Sequence, residues 1–244
     1  METKSLKEYL KKSHDLLNSF VLVLPLLIFY QIGILYISNR GINGVDFLTI
    51  ITWKLAGVKG LFIVNFVLNL MFLTGVIYLR NKQRFQTDYI LPIIIESMVY
   101  ALTMGILIIF VLRHTLPMSS STTIHIREPI VKILICIGAG VHEELVFRLI
   151  LMSLIIWICV KPLQLSRAAS IIIGILVSSA VFSLAHYYLG GEKYYTDGEW
   201  MRQYRLIYRF LAGIIFAVIF KFRSFAVAVY THTLYNFFVL FRTS

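Results

Sequence analysis

Residues 130–160 read IVKILICIGAGVHEELVFRLILMSLIIWICV. Apart from Lys132 and the polar residues of His142-Glu143-Glu144-x-x-x-Arg148, the run is built from apolar and small side chains. A helix rises about 1.5 Å per residue and the hydrocarbon core of a bilayer is about 30 Å thick, so about 20 such residues span it. The run is longer than one untilted span requires, which predicts tilting, a kink or a break near Gly138 and Gly140.

Outward from this stretch, six further apolar runs lie at 19–38, 61–79, 89–112, 167–189, 206–220 and 225–241. A shorter run, 47–58, is interrupted by Lys54 and reads as an interfacial or re-entrant piece. Residues 1–18 set Leu6, Leu10 and Leu17 against Lys4, Lys7, Lys11 and Lys12, the pattern of an amphipathic helix on a membrane surface. No small-residue cleavage site follows in 36–44, so the first span is expected to stay uncleaved. The expected fold is all-α: a polytopic membrane helix bundle of about seven to eight transmembrane helices in one continuous membrane domain. Residues 1–129 supply the amphipathic segment and three spans, and 130–241 supply the core.

Composition points the same way. Hydrophobic residues make up 59% of the 244 and charged residues only 14%, against about 25% charged in an ordinary soluble domain. Mean hydropathy is +0.81, which excludes soluble, disordered and fibrous classes. Lys and Arg number 23 against 12 Asp and Glu, giving +11. These cations cluster between apolar runs, so they read as topology signals rather than as a nucleic-acid surface. Lys4, Lys7, Lys11 and Lys12, then Arg80, Lys82 and Arg84, then Lys161 and Arg167, then Lys221 and Arg223 favour an inner N-terminus. The two cysteines, Cys136 and Cys159, lie inside apolar runs without metal-binding spacing and read as packing residues.

Ionisable side chains inside a membrane are costly, and they mark functional candidates. The densest group is Val141-His-Glu-Glu-Leu-Val-Phe-Arg148. Glu144 and Arg148 are four apart, share a helical face and can pair in the favoured order. Glu143 is turned about 100° from Glu144 on an α-helix, so it can face a different space and serve as a general base. Two further spans carry Phe182-x-x-x-His186 and His232-x-x-x-Asn236. Glu143 and His186 together could deprotonate and orient a water, while His232 and Asn236 supply donors to an oxyanion. This describes peptide-bond hydrolysis without a covalent nucleophile.

Other chemistries lack their residues. An H-E-x-x-H zinc site needs His where Val146 stands. Neither a G-x-S-G serine motif nor a G-x-G-D aspartyl motif occurs. A zinc set of Glu143, His186 and His232 is the alternative to a metal-free site, because two histidines, a glutamate and a water form an accepted catalytic set. No other cofactor is expected.

The ordered triple Glu143-Glu144-x-x-x-Arg148, Phe182-x-x-x-His186 and His232-x-x-x-Asn236 resembles that of the CPBP family. Its members are CAAX prenyl endopeptidase type II and bacteriocin-processing intramembrane proteases, also called the abortive-infection family. The resemblance runs from about Ile130 to Phe241. It implies a catalytic Glu143 and His186 acting on water, His232 and Asn236 on the oxyanion side, and Glu144 and Arg148 as supporting residues. Many members continue the first motif with Gly after the Arg, where this chain has Leu149. The family has been described both as metalloproteases and as glutamate-type proteases, and the glutamate type is the reading favoured here.

The expectation is therefore a multi-pass integral membrane endopeptidase of a bacterial or archaeal cell membrane. Its partners would be lipids and a peptide or protein substrate, such as a C-terminal tail or a precursor peptide, and not nucleic acid. The rival readings are a non-catalytic immunity or scaffolding protein that binds a peptide in the same pocket, and more weakly a proton-coupled transporter. Elsewhere, Glu96 could face the site or pair with Lys132 or Arg209, the pairing being the reading favoured, and Asn65 and Asn69 are expected to bond between helices. Tyr187–Tyr208 reads as an interfacial aromatic belt, and His14, His114 and His125 as solvated loop residues.

Overall fold

A computed structural model of the protein describes residues 8–10, 12–37, 47–81, 85, 87–115, 128–188 and 199–242. These residues are 93% helical, and among them there is no strand. The helices are α1 (Leu16–Ile37), α2 (Phe47–Arg80), α3 (Ile90–Thr115), α4 (Pro129–Gly138), the π-helix π1 (Ala139–Met152), α5 (Ser153–Val160), α6 (Arg167–Tyr188), α7 (Glu199–Phe222) and α8 (Phe225–Arg242). Of the surface helix expected over 1–18, residues 8–10 and 12–13 are helical, and 1–7 and 11 lie outside the described residues.

Four segments are long and apolar enough to cross a bilayer unaided: Leu16–Tyr36, Thr52–Arg80, Thr87–Ile108 and Arg167–Tyr188. The other three rods fall short for separate reasons. The 129–160 rod changes helix type twice and carries the polar motif, α7 brings Arg205 and Arg209 into its length, and Phe225–Phe241 is a shorter apolar helix. Phe62, Phe66, Met71, Ile106 and Phe110 are exposed on the outside of the bundle. Such a coat is unsuited to water and suited to lipid tails.

The long fourth run is one continuous rod, and its irregularity takes the form of π1 rather than a break. Helix α2, by contrast, is two helices joined at Gly57, whose φ of 56° and ψ of −139° lie outside the helical region. Glycine tolerates this conformation without a Cβ clash. The chain also folds closely on itself there, since a Cβ on Gly60 would stand 2.1 Å from the Thr52 carbonyl oxygen. The short run at 47–58 thus ends where the sequence placed it, as a piece distinct from the long second span.

Helices α1, α4, π1 and α8 share the main apolar core, with Tyr30, Leu134, Val141, Phe225 and Val227 buried. Cys136 and Cys159 are free and buried, as packing residues should be. Asn69 donates to Gln31 of α1 and to the Asn65 carbonyl, tying α2 to α1.

Glu96 does not pair with Lys132 or Arg209. Both its oxygens accept from Arg223, which lies in the turn between α7 and α8, and the Tyr9 hydroxyl donates to the same carboxylate. Arg223 also donates to Ser13 at 3.3 Å. Lys132 instead donates to the Leu240 carbonyl at 3.3 Å. The pairing follows tertiary position, since Arg223 and Glu96 are 127 residues apart and no local spacing relates them. The Tyr9 hydroxyl is pushed above its ordinary value by burial and by the Glu96 carboxylate. Glu96→Ala strands the Arg223 guanidinium and is expected to lower stability by about 3 kcal/mol. A melting curve in detergent checks this, and an unchanged midpoint would contradict it.

Candidate active site

Four helical segments meet around Glu143: π1, α6, α7 and α8. The motif Glu143-Glu144-x-x-x-Arg148 lies wholly within π1. A π-helix bonds i to i+5, widening each turn, and such stretches occur often at functional sites. Every polar side chain of the motif is buried; Arg148 and Glu144 are 0% exposed and Glu143 is 2% exposed.

The three predicted site helices converge on one carboxylate. Glu143 Oε1 faces His186 Nε2 at 3.5 Å, and Oε2 faces His232 Nε2 at 3.6 Å. The far nitrogen of each ring is held. His186 Nδ1 lies 3.0 Å from the Phe182 carbonyl oxygen, one turn back on α6. His232 Nδ1 lies 2.7 Å from Glu144 Oε1. A ring nitrogen bonded to a carbonyl or carboxylate carries the proton there, which fixes the tautomer and the ring orientation.

Arg148 and Glu144 form the expected pair, Nε to Oε2 at 3.3 Å, without hydrogen-bond alignment. Arg148 spends its directed bond on the Gly213 carbonyl of α7, Nη2 to O at 3.2 Å. Its guanidinium lies 4.4 Å from the centre of the Phe182 ring and 5.6 Å from that of Phe216. Phe216 in turn stacks on His232 at 4.1 Å with a 15° interplanar angle. Phe182 meets the edge of His186 at 4.6 Å. An aromatic frame therefore holds the cation and both imidazoles.

Sequence reasoning missed Phe216 and Gly213, because nothing in the spacing of α7 links them to the motifs. It also counted His142 among the polar cluster, and this residue turns away from Glu143 to lie against Tyr30 of α1, 4.7 Å between ring centres. Asn236 sits one turn beyond His232 on α8, half-buried, with no hydrogen bond to Glu143, His186 or His232 among the described contacts. His14 reaches the Lys221 carbonyl at 3.3 Å. The His114 side chain and His125 lie outside the described residues, as do 189–198 of the expected aromatic belt. Of that belt, Tyr204 and Tyr208 pack against the apolar cluster around Phe216 and Tyr235.

The candidate zinc set can be tested on its donors. The two imidazoles address different oxygens of Glu143, and among the described residues no group of three His, Cys, Asp or Glu is arranged as a metal-ligand set. No step below runs through a metal ion.

Residues 125–238 match the family model of the type II CAAX prenyl endopeptidase Rce1-like proteins. That segment is a CPBP-family domain. No curated protein and no solved structure matches the chain. The CPBP domain contains all of π1, α6 and α7 and the part of α8 that bears His232 and Asn236. The matched segment supports a CAAX-type endopeptidase, a class that acts on peptides or proteins, and the apolar helices support a membrane protein.

Close helix packing explains how the site is held. A Cβ on Gly140 would stand 2.0 Å from Thr233 Oγ1, 2.9 Å from the Val229 carbonyl oxygen and 3.0 Å from the Thr233 nitrogen. Only a residue without a side chain allows π1 and α8 to approach so closely, one residue from His232. Leu149, where many members carry Gly, is accommodated against the main apolar core.

Proposed function

We propose that the chain hydrolyses a peptide bond near the membrane surface by attack of water, with Glu143 as general base. The observation that carries this reading is the pair of imidazole Nε2 atoms at 3.5 and 3.6 Å from the two oxygens of one buried carboxylate. Glu143 takes a proton from the water while His186, its Nδ1 tied to the backbone, orients that water through Nε2. His232 leans on Glu144 through Nδ1. It can hold a second proton at Nε2 and, with Asn236, donate to the developing oxyanion. Arg148 keeps Glu144 in place. His186 lies in the last turn of α6, which supports a site close to one end of the bundle.

Residues 130–241 would carry the chemistry, and 1–129 would flank it in one multi-pass domain of a bacterial or archaeal cell membrane. The substrate would be a C-terminal tail or a precursor peptide. His186→Ala and His232→Ala are each expected to remove about 10²-fold or more of the cleavage rate while the chain still inserts. Cleavage by purified protein is expected to survive a strong chelator, with no zinc found by elemental analysis. Loss of activity on chelation, restored by zinc, would overturn the metal-free mechanism. Full complementation of a deletion by Glu143→Ala would mean that the pocket binds without cutting.

A further inference from the structure

A cavity of about 410 Å³ lies at the junction of α5, α6 and α7, with Glu143 not among its lining residues. One part of its wall is apolar, from Ile156, Trp157, Val160 and Phe220. Three cations complete it: Lys161 after the end of α5, Arg167 at the start of α6 and Lys221 in the last turn of α7.

No acidic residue lines the cavity, and none of the three cations has an ion-pair partner among the described residues. Three cations elsewhere do have carboxylate partners: Lys12 with Glu8, Arg148 with Glu144 and Arg223 with Glu96. Lys221 is half-buried, and burial together with the neighbouring Arg167 charge holds its ammonium below the usual value. Like charges kept this close with no internal counter-ion are complementary to an anion from outside.

We infer that this cavity is a binding site for an anionic phospholipid. Its phosphate would sit among Lys161, Arg167 and Lys221, and an acyl chain would lie along Ile156, Trp157, Val160 and Phe220. The mixed wall selects a lipid over a free anion. Three cations at the end of three apolar helices offer a phosphate site at headgroup depth, and the apolar strip continues toward the bundle as an acyl chain does. Trp157 is 57% exposed, so it would touch that chain directly. The cavity also includes Ser153, whose hydroxyl donates to the Arg148 carbonyl at 3.4 Å, so a bound lipid would abut the end of π1.

The test uses the full chain with Trp53→Phe and Trp200→Phe, leaving Trp157 as the reporter, in phosphatidylcholine vesicles. Brominated phosphatidylglycerol is expected to half-quench Trp157 at about tenfold lower mole fraction than brominated phosphatidylcholine does. The difference should vanish in the Lys161→Gln/Arg167→Gln/Lys221→Gln variant and persist in Lys59→Gln, which removes a distant exposed cation. Should the triple variant fail to insert, Arg167→Gln alone is expected to shrink the difference by about half. Equal quenching by the two brominated lipids would overturn the inference. So would relief of quenching by inorganic phosphate as effective as that by unbrominated phosphatidylglycerol, because the site would then take a free anion.

Discussion

Glu143→Gln is expected to slow peptide cleavage by about 10³-fold, within the range that a positioned general base contributes. Glutamine keeps the shape of the side chain and removes the charge and the basicity, so the fold is expected to survive. The residue's surroundings make this substitution diagnostic. Glu143 is buried with its two oxygens 3.5 and 3.6 Å from two imidazole Nε2 atoms, and the amide of a glutamine in its place can donate to one of them. Glu143→Gln should therefore match the wild type in insertion, helix content and melting midpoint. A structural role would show the opposite pattern, with lowered stability and residual cleavage.

The second large effect is expected at a residue with no titrating group of its own. Gly140→Val places a side chain where the Val229 carbonyl oxygen and the Thr233 nitrogen already stand, at 2.9 and 3.0 Å from the first added carbon. The threonine hydroxyl can rotate away, but the α8 backbone cannot, so α8 must move off π1. Overpacking of this kind costs about 1–3 kcal/mol. His232 is adjacent to Thr233, and its 2.7 Å contact with Glu144 would lengthen with the shift. A displacement of about 1 Å can cost about 10²-fold in rate, so cleavage should fall further than stability alone explains. Gly140→Ala should show the same effects to a smaller degree. Parallel measurement of melting midpoint and cleavage rate checks both, and a Gly140→Val protein with unchanged cleavage would remove the close approach from the account.

Much of this was legible before any coordinates. Apolar runs announce membrane helices because lipid admits no unpaired backbone, and i, i+4 spacing announces Glu144–Arg148 because the two residues share a face. The short run at 47–58 was separable because Lys54 interrupts it, and Gly57 is where the chain turns out of the helix. What stayed hidden depends on tertiary position. The π-helical winding of 139–152 has no residue signature, so the 100° offset between Glu143 and Glu144 is an α-helical figure applied to a wider turn. The contact of Glu144 with His232 joins residues 88 apart. Phe216 and Gly213, which hold His232 and Arg148, lie on a helix that bears no motif. The Glu96–Arg223 pair was missed for the same reason: a buried charge announces that it needs a partner, but not which one.

The central claim is that the carboxylate of Glu143 drives hydrolysis of a peptide bond. Its most direct test compares the protein termini in membranes of cells that carry the wild-type chain, Glu143→Gln or a deletion, with the two chains present in equal amounts. The account predicts new termini that appear with the wild type and are missing from both Glu143→Gln and the deletion. The same new termini in wild-type and Glu143→Gln membranes would contradict it.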